Sequence, residues 1–179
     1  MTELINVSQK YRNQILDLLE QVVNIDSPTQ YAEGTNEVGD VFIEFLSNLG
    51  FTTKKLPGDK YGDHVYAELG KGEPSILLMG HMDTVFPKGT VKQRPFSIDN
   101  KLGRAYGPGI LDMKSGIVIM LYSLKLFLQC IDNINGKVIV LLNADEERGS
   151  PESMIHLKEI IKEIEWSFIF EQGTTENEL

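Results

Sequence analysis

The residues best placed to do chemistry are His81 and Asp83, one residue apart at the end of the apolar run Ser75-Ile76-Leu77-Leu78-Met79-Gly80. At a strand end a neutral imidazole can bind a divalent metal through one ring nitrogen. A neighbouring carboxylate then accepts a hydrogen bond from the other nitrogen, fixing tautomer and ring orientation. Taken alone, the tripeptide equally suits a histidine that is only hydrogen-bonded. Three further acidic signals accompany it. Asp112 follows the glycine-rich Tyr106-Gly107-Pro108-Gly109, Asp145-Glu146-Glu147 closes the apolar run Val138 to Asn143, and Glu171 ends Phe168-Ile169-Phe170. An isolated acidic run is ordinarily a solvated loop. Carboxylates gathered at one half-buried place, however, are costly unless a cation neutralises them. Imidazole together with carboxylates suits a divalent ion, zinc foremost.

The elements that must deliver these side chains alternate along the chain. Ser8 to Asn24 reads as an amphipathic helix with Ile15, Leu18, Leu19, Val22 and Val23 on one stripe. Thr35 or Asn36 caps a second helix that Gly50 ends. Strands follow over Thr52 to Leu56, His64 to Leu69 and Ser75 to Met79, then a small hairpin across Phe96 to Tyr106. Met113 to Cys130 is a helix apolar nearly all round, which predicts packing between a sheet and another layer, with Cys130 buried. Lys137 to Asn143 reads as a central strand, Pro151 to Ile164 as a helix, and Trp166 to Phe170 as the last strand. The pattern predicts an α/β fold: a largely parallel mixed sheet with helices on both faces and the first strands antiparallel at one edge. In such sheets ligands bind where the carboxyl ends of the strands converge. Those ends are where His81, Glu146, Glu147 and Glu171 fall. Gly80 is expected to let the backbone pass close to a metal ligand, and Gly107-Pro108-Gly109 to aim Asp112.

The chain resembles the zinc-dependent exopeptidase and deacylase family that includes glutamate carboxypeptidase of the carboxypeptidase G type, aminoacylase, acetylornithine deacetylase and succinyl-diaminopimelate desuccinylase. The resemblance is densest in Leu77 to Val85, in Ala105 to Gly109 with Asp112, and in Asn143 to Ser150. It implies two zinc ions, with Asp112 bridging them, His81 and Glu171 on one and Glu147 on the other. It further implies Asp83 orienting His81, a cis peptide at Asp112–Met113, and Glu146 as general base on a metal-activated water. The substrate class implied is a peptide or N-acyl amino acid cleaved at an amide beside a terminal amino acid. Peptidase and deacylase share this chemistry, and both readings stay open. The resemblance also implies a later lid and dimerisation domain and a final histidine ligand. Residues 1–179 are therefore expected to be the N-terminal portion of an incomplete zinc exopeptidase-like catalytic domain, holding one or two zincs. The competing reading is a catalytically silent metal-binding fragment, self-associating or completed by a second chain. Neither His64, at a strand start, nor His156, in a helix, is expected to supply the final ligand.

Composition narrows the classes further. A chain of 179 residues with 41% hydrophobic and 24% charged residues has the make-up of one globular domain. Its net charge of -9 argues against nucleic acid or an anionic membrane as a partner. A single cysteine excludes an intramolecular disulfide framework, and the polar stretch Met1 to Gln14 lacks a signal-peptide core, so the cytoplasm is the expected location. No phosphate-binding glycine loop and no Gly-x-Ser-x-Gly elbow is present, which disfavours a nucleotide-binding protein and a serine hydrolase. Ser115 reads as a helix-start residue. Lys88 and Arg94 are either surface cations or contacts for an anionic substrate, and Arg148 is a candidate partner for the acidic run.

Overall fold

In a computed structural model of the protein, residues 2–173 are described, with side chains of the first helix from residue 9 onward. The segment from 174 to the chain's end lies outside the described residues. Helices α1 (Thr2–Val23) and α2 (Ala32–Asn48) precede three strands, β1 (Thr52–Leu56), β2 (His64–Lys71) and β3 (Ser75–His81). A one-turn helix α3 (Thr90–Gln93) and the hairpin β4 (Ser97–Asp99) and β5 (Arg104–Tyr106) come next. A tight turn over Ile110–Lys114 then runs into α4 (Ser115–Cys130), β6 (Gly136–Asn143), α5 (Ser153–Ile160) and β7 (Trp166–Ile169). The second helix starts earlier than its polar residues suggest. Tyr31 occupies its cap position without a side-chain bond, and Thr35 lies inside the first turn with its hydroxyl on the Tyr31 carbonyl.

Five strands form the main sheet in the order β1-β2-β6-β3-β7. β3 pairs parallel to both β6 and β7, whereas β1/β2 and β2/β6 are antiparallel, so the antiparallel edge reaches as far as the central strand. Period-two alternation splits the buried residues between the two faces. Ile76, Leu78, Val138, Val140 and Leu142 pack with α1, α2 and α4. Leu77, Ile139 and Leu141 pack on the opposite face, under Leu157 and Ile160 of α5. Helix α2 buries Val38, Phe42 and Leu46, one side chain per turn, which is why that stripe rather than propensity holds it down.

One expectation about α4 is corrected. Helix α4 does pack between the sheet and α1, but it leaves Ile119 and Phe127 exposed, and Cys130 at its end is exposed rather than buried. All four residues of β7 are exposed, and among the described residues no strand pairs with its outer edge. No helix among the described residues is long and apolar enough to cross a membrane.

Candidate metal centre

Parallel pairing brings three strand ends to one edge of the sheet. His81 is the last residue of β3 and lies opposite Asn143, the last residue of β6. The β6 chain continues through Ala144 into a single turn at Glu146–Arg148. On the other side, Phe170 N–H donates to the Met79 carbonyl at 3.2 Å, carrying the β3/β7 ladder up to Glu171. Asp112 arrives from the opposite direction. Gly109 adopts a left-handed conformation with φ of 70°, open to glycine at little cost, and the Lys114 amide bonds back to its carbonyl at 2.9 Å. The Asp112–Met113 peptide is cis. Lys114, fully buried, donates from Nζ to the carbonyls of Val22 (2.8 Å) and Ile25 (3.0 Å), tying this turn to the end of α1. Burial pulls its ammonium down to about 7, against the favourable charge of Asp26.

The imidazole of His81 is the buried centre of the cluster. Its Nδ1 lies 2.9 Å from the backbone carbonyl of Asp83, which can only accept, so Nδ1 carries a proton and Nε2 is the nitrogen that faces the site. Around Nε2 stand Asp112 Oδ1 at 2.9 Å, Glu171 Oε1 at 3.0 Å and Glu146 Oε2 at 3.7 Å. His81, Asp112 and Glu147 each present a ligand atom, and these atoms lie within 4.8 Å of one another. Burial by itself would lower the His81 pKa. The hydrogen bond and charge of Asp83, with Glu146 and Glu171 beyond, outweigh it and push the imidazole up to about 9. Glu146 and Glu147 are both raised, first by burial and then by neighbouring carboxylates.

Asp83 does more than face His81. Its carboxylate stands 3.3 Å from His81 Nδ1 and accepts the Thr29 hydroxyl at 2.7 Å. It also accepts the backbone N–H groups of Glu146 and Glu147, each at 3.2 Å. Burial opposes its ionisation, but these donors hold its pKa below the ordinary carboxylate value. Asp145, first of the acidic run, is absent from the cluster. It is buried, and its Oδ2 accepts the amides of Glu152 (2.6 Å) and Ser153 (3.0 Å) at the start of α5.

This donor set fits a divalent cation. With Nδ1 committed to a carbonyl, Nε2 turns its lone pair toward carboxylates, an arrangement that needs either a proton or a cation between them. One imidazole and several carboxylates form the mixed nitrogen and oxygen set that zinc accepts.

The structure therefore gathers His81, Asp83, Asp112, Glu146, Glu147 and Glu171 at one strand mouth. His64 and His156 lie elsewhere, with their rings 5.6 Å apart. His64 is buried and accepts the Ala144 amide at 3.1 Å; His156 Nε2 is 3.2 Å from the Pro57 carbonyl. Gly80 has a different reason from the one expected. A Cβ there would sit 2.9 Å from Ile117 Cγ1 and 3.0 Å from Met113 Cε, so its bareness admits the Asp112 turn and α4 against β3 rather than a metal ligand. Lys88 and Arg94 lie over the rings of Tyr31 (3.6 Å) and Phe86 (5.1 Å). Among the described residues Arg148 pairs with none of the acids. It lines an open cleft beside the cluster with Thr29, Thr84, Val85, Pro87 and Glu147. Sequence reasoning passed over Thr29, Lys114 and Asp26, whose carboxylate accepts the Gly89 (2.6 Å) and Val91 (3.0 Å) amides. The Asp26-Ser27-Pro28 turn was visible, but nothing in it signals which strand end it meets.

Residues 77–179 match the family model described as peptidase family M20/M25/M40. Carboxypeptidase G2 of Pseudomonas sp. (strain RS-16) is 37% identical over 167 residues, covering 92% of this chain and 40% of that protein. Succinyl-diaminopimelate desuccinylase of Orientia tsutsugamushi (strain Boryong) is 33% identical over 168 residues, covering 89% and 39%. Among solved structures, human carnosine dipeptidase 1 superposes with a TM-score of 0.79 at 16% identity, covering 94% of this chain and 40% of that one, a likeness of fold alone. The chain spans about 40% of the length of these relatives.

Proposed function

The chain belongs to peptidase family M20/M25/M40, and from that premise we propose that it carries the reaction centre of a zinc-dependent hydrolase acting on an amide beside a terminal amino acid. The observation that supports this most directly is the gathering of Asp112, Glu171 and Glu146 around Nε2 of a buried His81. In this reading His81, Asp112, Glu147 and Glu171 would hold the metal, and Asp83 would orient His81. A bound divalent ion supplies a water activated near neutral pH and an electrophile for the amide oxygen.

The chain's own residues then manage the proton. Glu146 takes it from the attacking water as the new carbon–oxygen bond forms. It returns it to the nitrogen as the carbon–nitrogen bond breaks, leaving a carboxylic acid and an amine. Its raised pKa suits a group that must both accept and give back a proton. The substrate is a peptide or N-acyl amino acid, with glutamate suggested by the likeness to carboxypeptidase G2. Deacylation is the second reading, favoured by the likeness to succinyl-diaminopimelate desuccinylase. The exposed edge of β7 leaves room for self-association or a completing chain, and the single cysteine agrees with the cytoplasm.

The test is zinc stoichiometry together with hydrolysis of an N-acyl-glutamate, in the wild-type chain and in Glu146→Gln. Zinc retained by both, with turnover only in the wild type and reduced at least about 100-fold by the substitution, supports the assignment. Unchanged turnover in Glu146→Gln refutes the general base. Zinc bound without turnover in either supports the silent-fragment reading.

A further inference from the structure

Thr29 lies in the segment after α1, far in sequence from every group of the cluster, yet it is buried and its hydroxyl reaches Asp83 Oδ2 at 2.7 Å. That is the shortest contact the Asp83 carboxylate makes. The same Oδ2 also takes the Glu147 amide at 3.2 Å, and Oδ1 takes the Glu146 amide at 3.2 Å. One carboxylate thus touches the imidazole of His81 and the backbone of both glutamates. Its plane decides how these three groups sit relative to one another.

The donor itself is held still. Ser27 Oγ donates to the Met82 carbonyl at 2.9 Å, the Thr84 amide donates to the Ser27 carbonyl at 2.9 Å, and Pro28 bridges in parallel to Thr84. Ser27 and Pro28, the two residues before Thr29, are therefore laced to Met82 and Thr84, which flank Asp83 just beyond the end of β3. A hydroxyl fixed in this way gives the Asp83 plane one rotational position. Without it, Oδ2 keeps only the longer Glu147 amide, and the carboxylate can turn toward His81 at the expense of the glutamate turn.

We propose that Thr29 is a positioning residue of the metal centre: its hydroxyl sets the Asp83 carboxylate so that His81, Glu146 and Glu147 are presented together. The role deepens the metal reading above and rests on it. Groups that touch a metal ligand are typically worth about 10–100-fold in metal affinity; Thr29 acts one contact further out, through Asp83, and should fall at the low end, about 10-fold.

The experiment measures the zinc dissociation constant of the whole chain by chelator competition, alongside the melting temperature of the zinc-free form. Thr29→Val keeps the shape and removes the donor; Thr29→Ser keeps the donor. The expected result is zinc binding weakened about 10-fold or more in Thr29→Val and restored to within about 3-fold of wild type in Thr29→Ser. A merely structural threonine would lower the melting temperature of the zinc-free Thr29→Val chain and leave its zinc affinity within about twofold of wild type, and that outcome overturns the inference. If Thr29→Val does not fold, Thr29→Cys, with a weak S–H donor, takes its place under the same criterion. A wild-type chain that binds no zinc overturns the metal reading itself, and this inference with it.

Discussion

Gly116→Ala is the substitution for which helix propensity and the tertiary structure predict opposite signs. Gly116 is the second residue of α4, where alanine is better than glycine by about 1 kcal/mol in a helix interior and by less in a first turn. A Cβ at this position, however, would fall inside the van der Waals envelope of the Phe170 carbonyl oxygen. The carbonyl carbon would stand at only 3.1 Å, and Met113 Cε at 3.3 Å. A methionine end can swing away; a backbone carbonyl moves only with its strand. Ordinary contact requires the Phe170 carbonyl to retreat by roughly 1.4 Å. Phe170 is held by its amide bond to the Met79 carbonyl, and Glu171 is the next residue, so the retreat strains the end of the β3/β7 ladder and draws the Glu171 carboxylate away from His81 Nε2. Overpacking of this kind costs about 1–3 kcal/mol, and a weakened ladder bond about 1 kcal/mol more. Against the gain of at most about 1 kcal/mol from propensity, the net loss is about 1–3 kcal/mol. Urea unfolding of the zinc-free chain measures this loss, and chelator competition measures a fall in zinc affinity of about 10-fold or more, since a candidate ligand has moved. A Gly116→Ala chain as stable as wild type, with zinc affinity within about twofold, would refute both the close approach and the place given to Glu171.

Further outcomes follow from other groups in and around the cluster. Asp112→Ala should weaken zinc binding by more than about 100-fold, because Asp112 Oδ1 stands 2.9 Å from His81 Nε2; full occupancy after dialysis would put the metal elsewhere. Asp145→Ala should cost about 1–2 kcal/mol in urea unfolding, since it removes the acceptor of two amides at the start of α5, while Asp145→Asn should recover most of the loss; equal stabilities would argue against the cap. Burial holds the His64 pKa below its ordinary 6.5, opposed by the charge of Asp145. The unfolded chain therefore binds more protons once pH falls through about 6.5, and stability present above that pH is lost below it. His64→Gln, with an amide oxygen for the Ala144 N–H, should show a shallower decline between about pH 6.5 and 5; an identical slope would point to another group.

Local patterning was enough to read the α/β alternation and the strand ends, and the likeness to a known family pointed to the residues of the cluster. Those features are local: an apolar run followed by His81, by Asp145 to Glu147 or by Glu171 can be read wherever it occurs, and parallel pairing of such runs gathers their ends. What depends on which segments meet came only with the folded arrangement. Asp145, Glu146 and Glu147 look alike in sequence, yet the turn sends Asp145 inward to cap α5 and leaves the two glutamates at the mouth. Cys130, at the end of an apolar helix, reads as core but is exposed, because only one side of α4 meets the rest of the described chain. Thr29 and Lys114 carry no motif; their place comes from the end of α1 lying against the Asp112 turn and the end of β3. Periodicity and residue type are properties of neighbours along the chain. Bonds such as that between Thr29 and Asp83, across 54 residues, exist only once the sheet has brought their segments together.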